Sequence, residues 1–247
     1  YSQQTVLCTS NARLDDIAAY LEAQGVPVLY LGSLFERPEV RDLLSILSLL
    51  SDSRAQGLLR AARACGAEIS SNDIKAIAQY IKENNLKSLD WAEHINKIEE
   101  LSDKGTKSLQ SVTSLLSGFT SQDYPWSVLA TIVLDRLKLG KTIYSSNHLS
   151  DRMKGIAIWQ LLNFSKNVIK GKGVPVERLL RRIRRIVQLS EDRDVRQLPA
   201  VASRLDGVRL LTIHASKGLE FDIVHLPGMV STGLPGSNRP PNCIPPD

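Results

Sequence analysis

Long apolar runs are missing from this chain of 247 residues: no stretch approaches the roughly 18 to 20 residues that span a bilayer, which excludes a membrane-crossing helix. The opening residues, Tyr1-Ser2-Gln3-Gln4, lack the basic-then-apolar pattern of a secretory signal. Cysteine is scarce as well. Cys8, Cys65 and Cys243 are odd in number and widely spaced, so they form neither a zinc-ligand set nor a disulfide framework, and a reducing cytoplasm is the simplest setting. Leu137-Lys138-Leu139-Gly140-Lys141-Thr142 comes nearest to a phosphate-binding loop, but the glycine needed five residues before Gly140 is replaced by Asp135. Ser216 and His225 have no acidic third member at a nucleophile-elbow spacing, which removes a hydrolase triad.

What remains is an ordinary globular composition, 43% hydrophobic and 23% charged, long enough for one large core or two modest ones. The net charge of +5 is compatible with nucleic-acid contact without demanding it.

Thr5-Val6-Leu7-Cys8 reads as a strand. Ser10 or Asn11 caps a following helix that places Leu14, Ile17, Ala18 and Leu21 on one face, and Gly25 stops it. Val26 to Leu31 reads as a second strand, so the opening segment is a strand–helix–strand unit of a parallel sheet. Pro38 and Glu39 suit the first turn of a helix that continues through Leu43, Leu44, Ile46, Leu47 and Leu50, apolar over most of its surface and therefore buried. From Gly66 to Leu205 amphipathic helical patterns dominate, as in Asp73 to Ile81, Trp91 to Leu101, Trp126 to Leu137, Met153 to Ile169 and Val176 to Leu189. Strand character returns at Val208, and the tail from Gly233 carries no helix or strand period. The expectation is an α/β domain interrupted by a helical one, with residues 1–66 and 206–247 forming the sheet domain around an insert at 67–205.

The richest stretch is Leu211-Thr212-Ile213-His214-Ala215-Ser216-Lys217-Gly218-Leu219-Glu220-Phe221, followed at once by the apolar run Ile223-Val224-His225-Leu226. Two buried-type strands joined by a short polar loop present a cation, a glycine and a carboxylate at the carboxyl edge of a sheet, where α/β folds bind ligands. The stretch resembles motif V of the superfamily 1 helicases of the UvrD/PcrA/Rep type. Leu7-Cys8-Thr9-Ser10-Asn11-Ala12 is similar to motif IV of that family, and Gly32 through Asp42 to the block called IVa.

The resemblance implies a RecA-like parallel-sheet subdomain, 2A, split by an all-helical subdomain, 2B. It implies the second motor half of an ATP-dependent 3′–5′ DNA helicase or translocase that works against an N-terminal RecA-like half carrying the phosphate loop and Mg²⁺. By resemblance, Glu220 accepts a hydrogen bond from the nucleotide ribose, and Gly218, Lys217, Thr9 and Arg13 also line the nucleotide. Thr9 stands where relatives carry an arginine; either another cation serves, with Arg13 four residues on as a candidate, or this branch depends less on that contact. Thr9 and Glu220 are expected on a shared rim. His214 and Thr212 contact a DNA strand, and Phe35 either stacks on a base or packs beneath the Pro38 helix.

The run Arg178, Arg181, Arg182, Arg184 and Arg185 alternates with Leu179, Leu180, Ile183, Ile186 and Val187, giving a helix with a basic outer face. That face is solvated, or it meets duplex DNA or a repair-protein partner, with Arg181, Arg182 and Arg185 as the candidate contacts. The chain opens without Met inside a motif and stops before motif VI, so it is expected to be a fragment, nucleoid-associated in its parent. Alone it should hold no ATP or Mg²⁺ and hydrolyse nothing. Two other readings stay open: the motor part of a helicase–nuclease, and a helicase-like scaffold without ATP chemistry.

Overall fold

The computed structural model describes every residue except 53, 87–88, 168–171, 190–195, 197, 200–201, 203 and 230–247. The Pro- and Gly-rich tail and Cys243 fall outside the described residues. Two compact units are present: Tyr1–Gly32 together with Leu198–Asp247, and Ser33–Gln197.

The first unit holds β1 (Gln4–Cys8), α1 (Asn11–Ala23), β2 (Val28–Leu29), β3 (Val208–Thr212) and β4 (Ile223–His225). The strands form one sheet in the order β2-β3-β1-β4, and every pairing is parallel. β3 is wedged between the two strands of the opening strand–helix–strand unit: Leu210 stands opposite Val6, and Val208 opposite Val28. Because alternate strand residues face opposite sides, Val6 and Cys8 join Val208 and Leu210 on the side that α1 covers with Leu14 and Ala18. Ile17, Leu21, Val26 and Tyr30 close the edges of this core.

Local signals set the ends of α1. The Ser10 side chain accepts from the Arg13 amide at 3.5 Å. At the far end Gly25 adopts φ +73°, the Gly25 amide donates to the Glu22 carbonyl and the Val26 amide to that of Leu21, the double closure of a Schellman motif.

Two expectations for this unit need correction. The second strand is reduced to Val28–Leu29. β4, read as a buried strand, lies on the edge of the described sheet: among the described residues it pairs only with β1, and Ile223, Val224 and His225 are all exposed. An apolar run signals burial but cannot say whether a partner strand completes it.

The second unit is helical, with no strand among its described residues. It comprises α2 (Pro38–Ser48), α3 (Leu58–Ala64), α4 (Ser71–Glu83), α5 (Asp103–Leu116), α6 (Pro125–Thr131), α7 (Leu139–Ser145), α8 (Leu149–Lys166) and α9 (Pro175–Leu189). The compact helical unit runs from Ser33, and within it α2 packs on α3, α6, α8 and α9, with Val40, Leu43, Ile46 and Leu47 buried. The segment expected as a helix from Trp91 is a 3₁₀ run, Asp90–Lys97, and the one from Trp126 passes from α6 into a π-helical turn, Ile132–Arg136. Gly140-Lys141-Thr142 lies inside α7 and follows that helical turn, so it has none of the strand-to-helix geometry of a phosphate loop.

Asp73 ties two helices together. Only 2% exposed, its carboxylate accepts from the Ser70 amide (3.2 Å) and hydroxyl (2.6 Å) at the start of α4. It also accepts from the Ser102 amide (2.8 Å) and hydroxyl (3.0 Å) at the start of α5. No helix among the described residues is long and apolar enough to cross a membrane.

Candidate functional site

The site candidates near the chain ends meet on one edge of the sheet. In the register of β1 and β3, Cys8 stands opposite Thr212, and the Ile213 amide donates to the Cys8 carbonyl at 2.9 Å. Thr9 and Ile213 therefore leave the sheet from adjacent strands at their carboxyl ends, the edge where parallel α/β sheets take ligands. Thr9 is exposed there, one residue before the cap of α1.

After β3 the chain makes a helical turn. The Thr212 carbonyl accepts from the amides of Ala215 (2.9 Å) and Ser216 (3.1 Å), and the Thr212 hydroxyl accepts from the Ala215 amide at 3.2 Å. Thr212 is thus the cap of the turn, a role its side chain already fills. The Ser216 hydroxyl donates to the Ile213 carbonyl at 2.9 Å, which ties it to the backbone.

His214, Lys217 and Gly218 project into solvent. Gly218 has φ +82°, a left-handed conformation that favours glycine, while a Cβ built on it meets nothing within 4 Å. The glycine is there to turn the chain. His214, Lys217 and Glu220 make no hydrogen bond or ion pair among the described residues, so their polar groups are available to a ligand.

Glu220 lies on the connection from β3 to β4. Ile223 pairs with Gln4, at the opposite end of β1 from Thr9, so residues 213–222 must travel back across the sheet edge before β4 can start parallel to β3. Glu220 sits on that returning leg, exposed, three residues ahead of Ile223. His225, expected in core or edge, lies on the edge, with its Nε2 3.0 Å from Gln4 Oε1.

Arg13 occupies the first turn of α1, and its guanidinium lies against Gly228, in the turn after β4. Burial pushes the Cys8 thiol up from its ordinary pKa, and the nearby Arg13 charge pulls part of that shift back. The sequence reading did not find Gly228; the Pro227-Gly228 pair marks a turn, but nothing local says which side chain rests on it.

The remaining candidates belong to the helical unit. Phe35 is 4% exposed, and its ring meets Phe164 edge to face at 5.0 Å between centroids, so it packs and presents no platform to a base. Arg182 is also partly committed: its guanidinium stacks over the Phe164 ring at 4.5 Å and donates to the Asn167 carbonyl at 2.6 Å. Arg181, Arg184 and Arg185 carry the exposed charge of α9, with Glu177 only loosely paired to Arg181 at 3.9 Å. Leu179, Leu180 and Ile183 are buried beneath, as their spacing predicts.

Arg13 and Lys217 are cations with N–H donors of the kind that suit phosphate oxygens, and Glu220 is a carboxylate acceptor of the kind that suits a hydroxyl. Among the described residues no three His, Cys, Asp or Glu side chains come together as a metal-ligand group.

A parallel sheet with a helix packed on one face defines the class of α/β domains. Residues 1–240 match the model of the UvrD-like helicase C-terminal domain, and the chain belongs to that family. It is 25% identical to the ATP-dependent DNA helicase Rep of Escherichia coli over 243 residues, covering 95% of this chain and 35% of that protein. It is 26% identical to Rep of Buchnera aphidicola over 216 residues (83% of this chain, 32% of that protein). It is 23% identical to the ATP-dependent DNA helicase PcrA of Staphylococcus epidermidis over 240 residues (95% of this chain, 32% of that protein). The chain thus spans about a third of the length of these curated relatives.

Proposed function

We propose that the chain is the second motor half of an ATP-dependent 3′–5′ DNA helicase or translocase, and that its carboxyl rim completes an ATP site shared with an N-terminal RecA-like half of the same protein. The observation that carries this reading is the adjacency of β1 and β3, which sends Thr9 and the Ile213–Gly218 turn out of neighbouring strands on one edge. In this arrangement Arg13 and Lys217 meet the phosphates, Gly218 lets the backbone turn beside the nucleotide, and Glu220 accepts from a ribose hydroxyl. His214 faces the single strand, beside the Thr212 cap.

Magnesium and the phosphate loop come from the other half, so the isolated chain hydrolyses no ATP. Hydrolysis of this kind depends on positioning and charge stabilisation around the phosphates, which needs both sides of the cleft. The test is ATP hydrolysis stimulated by single-stranded DNA. Glu220→Ala in the full-length parent is expected to raise the KM for ATP by about tenfold, the cost of one hydrogen bond to a charged group. A parent protein without DNA-stimulated hydrolysis would sink the reading.

The basic face of α9 supplies the second contact, to duplex DNA, while partner proteins of the repair machinery dock on the helical unit. Arginines there touch phosphates without reading sequence. Arg181→Glu with Arg185→Glu is expected to weaken binding of the parent to a tailed duplex and to lower the salt slope by roughly two for two lost phosphate contacts. An unaltered slope would remove α9 from the interface.

A further inference from the structure

We infer that the exposed patch formed by Leu134, Tyr144 and Trp159 on the helical unit docks an amphipathic helix of a partner protein whose polar face is acidic; the inference deepens the partner reading above and rests on it. Tyr144 is 88% exposed, Leu134 58% and Trp159 49%. A single exposed apolar side chain is ordinary on a protein surface, whereas a contiguous group of them marks an interaction site. The packing around α7 groups these three. Leu134, in the π-helical turn, lies against Gly140 at one end of α7, and Ile143, beside Tyr144, lies against Gly155 of α8. Trp159 follows Gly155 by one turn on the same face of α8. α7 itself has no buried residue, so its outer side is open to a partner.

Charge selects the occupant. Lys138 and Lys141 at the start of α7 and Arg152 in the first turn of α8 are exposed and make no ion pair among the described residues. Asp151 is already held by Lys154 at 2.8 Å and by the Ser146 hydroxyl at 2.7 Å, which leaves Asp135 as the remaining acid of these elements. A helix that brings carboxylates around an apolar stripe meets both the cations and the patch. An isologous pair of copies would set the same cations against one another. A nucleic-acid strand is favoured less, because Leu134 offers no ring for a base to stack on and the adjoining Asp135 repels phosphate. Tyr and Trp are the side chains that anchor such contacts, and so few anchors make a small, transient interface.

The experiment uses the full-length parent protein and two fluorescein-labelled synthetic peptides of about 15 residues, enough for four helical turns. One carries Leu at i, i+3, i+4 and i+7 with Glu between; the other has Lys in place of every Glu. The Glu peptide is expected to bind with a dissociation constant on the order of 10 to 100 μM, and the Lys peptide not to bind. Tyr144→Ser, and separately Lys138→Glu with Lys141→Glu, should each weaken the Glu peptide by about tenfold. All three side chains are exposed, so the variants should keep the wild-type melting temperature. Glu-peptide affinity unchanged in both variants overturns the inference and leaves the partner reading in place, with another face of the helical unit as the site. Equal binding of the Lys peptide overturns it too, because charge would then select nothing. Loss of oligo(dT) affinity in Tyr144→Ser with the Glu peptide unaffected overturns it in favour of nucleic acid. A wild-type parent that binds neither peptide sinks the partner reading and this inference together.

Discussion

A chain ending at residue 205 is expected to lose the whole sheet while keeping its helices. Among the described residues β2 pairs only with β3, and β1 only with β3 and β4, so every described rung of the ladder depends on residues after 207. The truncated unit would retain two unpaired strands and the 13-residue α1, a length at which an isolated helix is marginal in water. It would also lose Val208 and Leu210 from the core, each worth about 1.5 to 3 kcal/mol when fully buried. Amide exchange gives the readout. Val6, Leu7 and Cys8 should pass from protected to fully exchanging, and the amides of α2 and α8 should stay protected. Persistent protection of β1 in the truncated chain would show that the sheet has another source of pairing.

Asp73→Ala is expected to be the most damaging single substitution in the helical unit, by about 3 kcal/mol or more. Four donors at two helix starts converge on this one buried carboxylate. Losing a cap costs about 0.5 to 2 kcal/mol, and a buried donor left unpaired costs about 1 to 3. Gly105 tests the same joint from the other side: a Cβ there would lie 2.5 Å from Asp73 Cγ and 2.6 Å from Oδ1. Gly105→Ala should therefore push the carboxylate off its donors, at about 1 to 3 kcal/mol.

The joint has a pH signature. Burial alone would raise the Asp73 pKa, but the hydrogen bonds from Ser70 and Ser102 outweigh it and hold the carboxyl below its ordinary value of 3.8. With the folded value depressed, the stabilisation is fully present above the unfolded value and is lost as pH falls through the folded one. Thermal melts between pH 7 and pH 2 should show an acid-side drop that Asp73→Asn flattens. An Asp73→Asn variant that keeps the wild-type acid limb would assign that limb to other carboxylates.

Much of the local grammar could be read directly. Ser10 and Gly25 bound α1, Pro38 opens α2, and the Leu179, Leu180, Ile183 stripe of α9 faces inward. Each of these depends on a residue's own backbone preference or on a helical period, and both are written into neighbouring positions. The motif residues also told that both chain ends contribute to one sheet. Their spacing could not tell that β3 would slip between β1 and β2, because pairing partners are chosen by the whole set of strands.

The side chains that the sequence could not place share a cause. Phe35 is open in sequence between stacking on a base and packing, and Arg182 between a solvated face and a DNA or partner contact; both turn onto Phe164, which no local pattern links to either. Arg13 and Gly228 meet for the same kind of reason, across more than 200 positions. Glu220 lies on the return from β3 to β4, a connection whose course an apolar run does not reveal.

The central place of β3 has a consequence for biosynthesis. At about 5 to 20 residues per second, β1 and β2 emerge from a ribosome some 10 to 40 seconds before the strand that must lie between them. During that interval the helical unit can complete itself from local contacts, whereas the opening segment waits with unpaired edges, a non-local closure of the slow and aggregation-exposed kind. Nascent chains stalled before Val208 should accordingly be the forms that engage chaperones and proteases most.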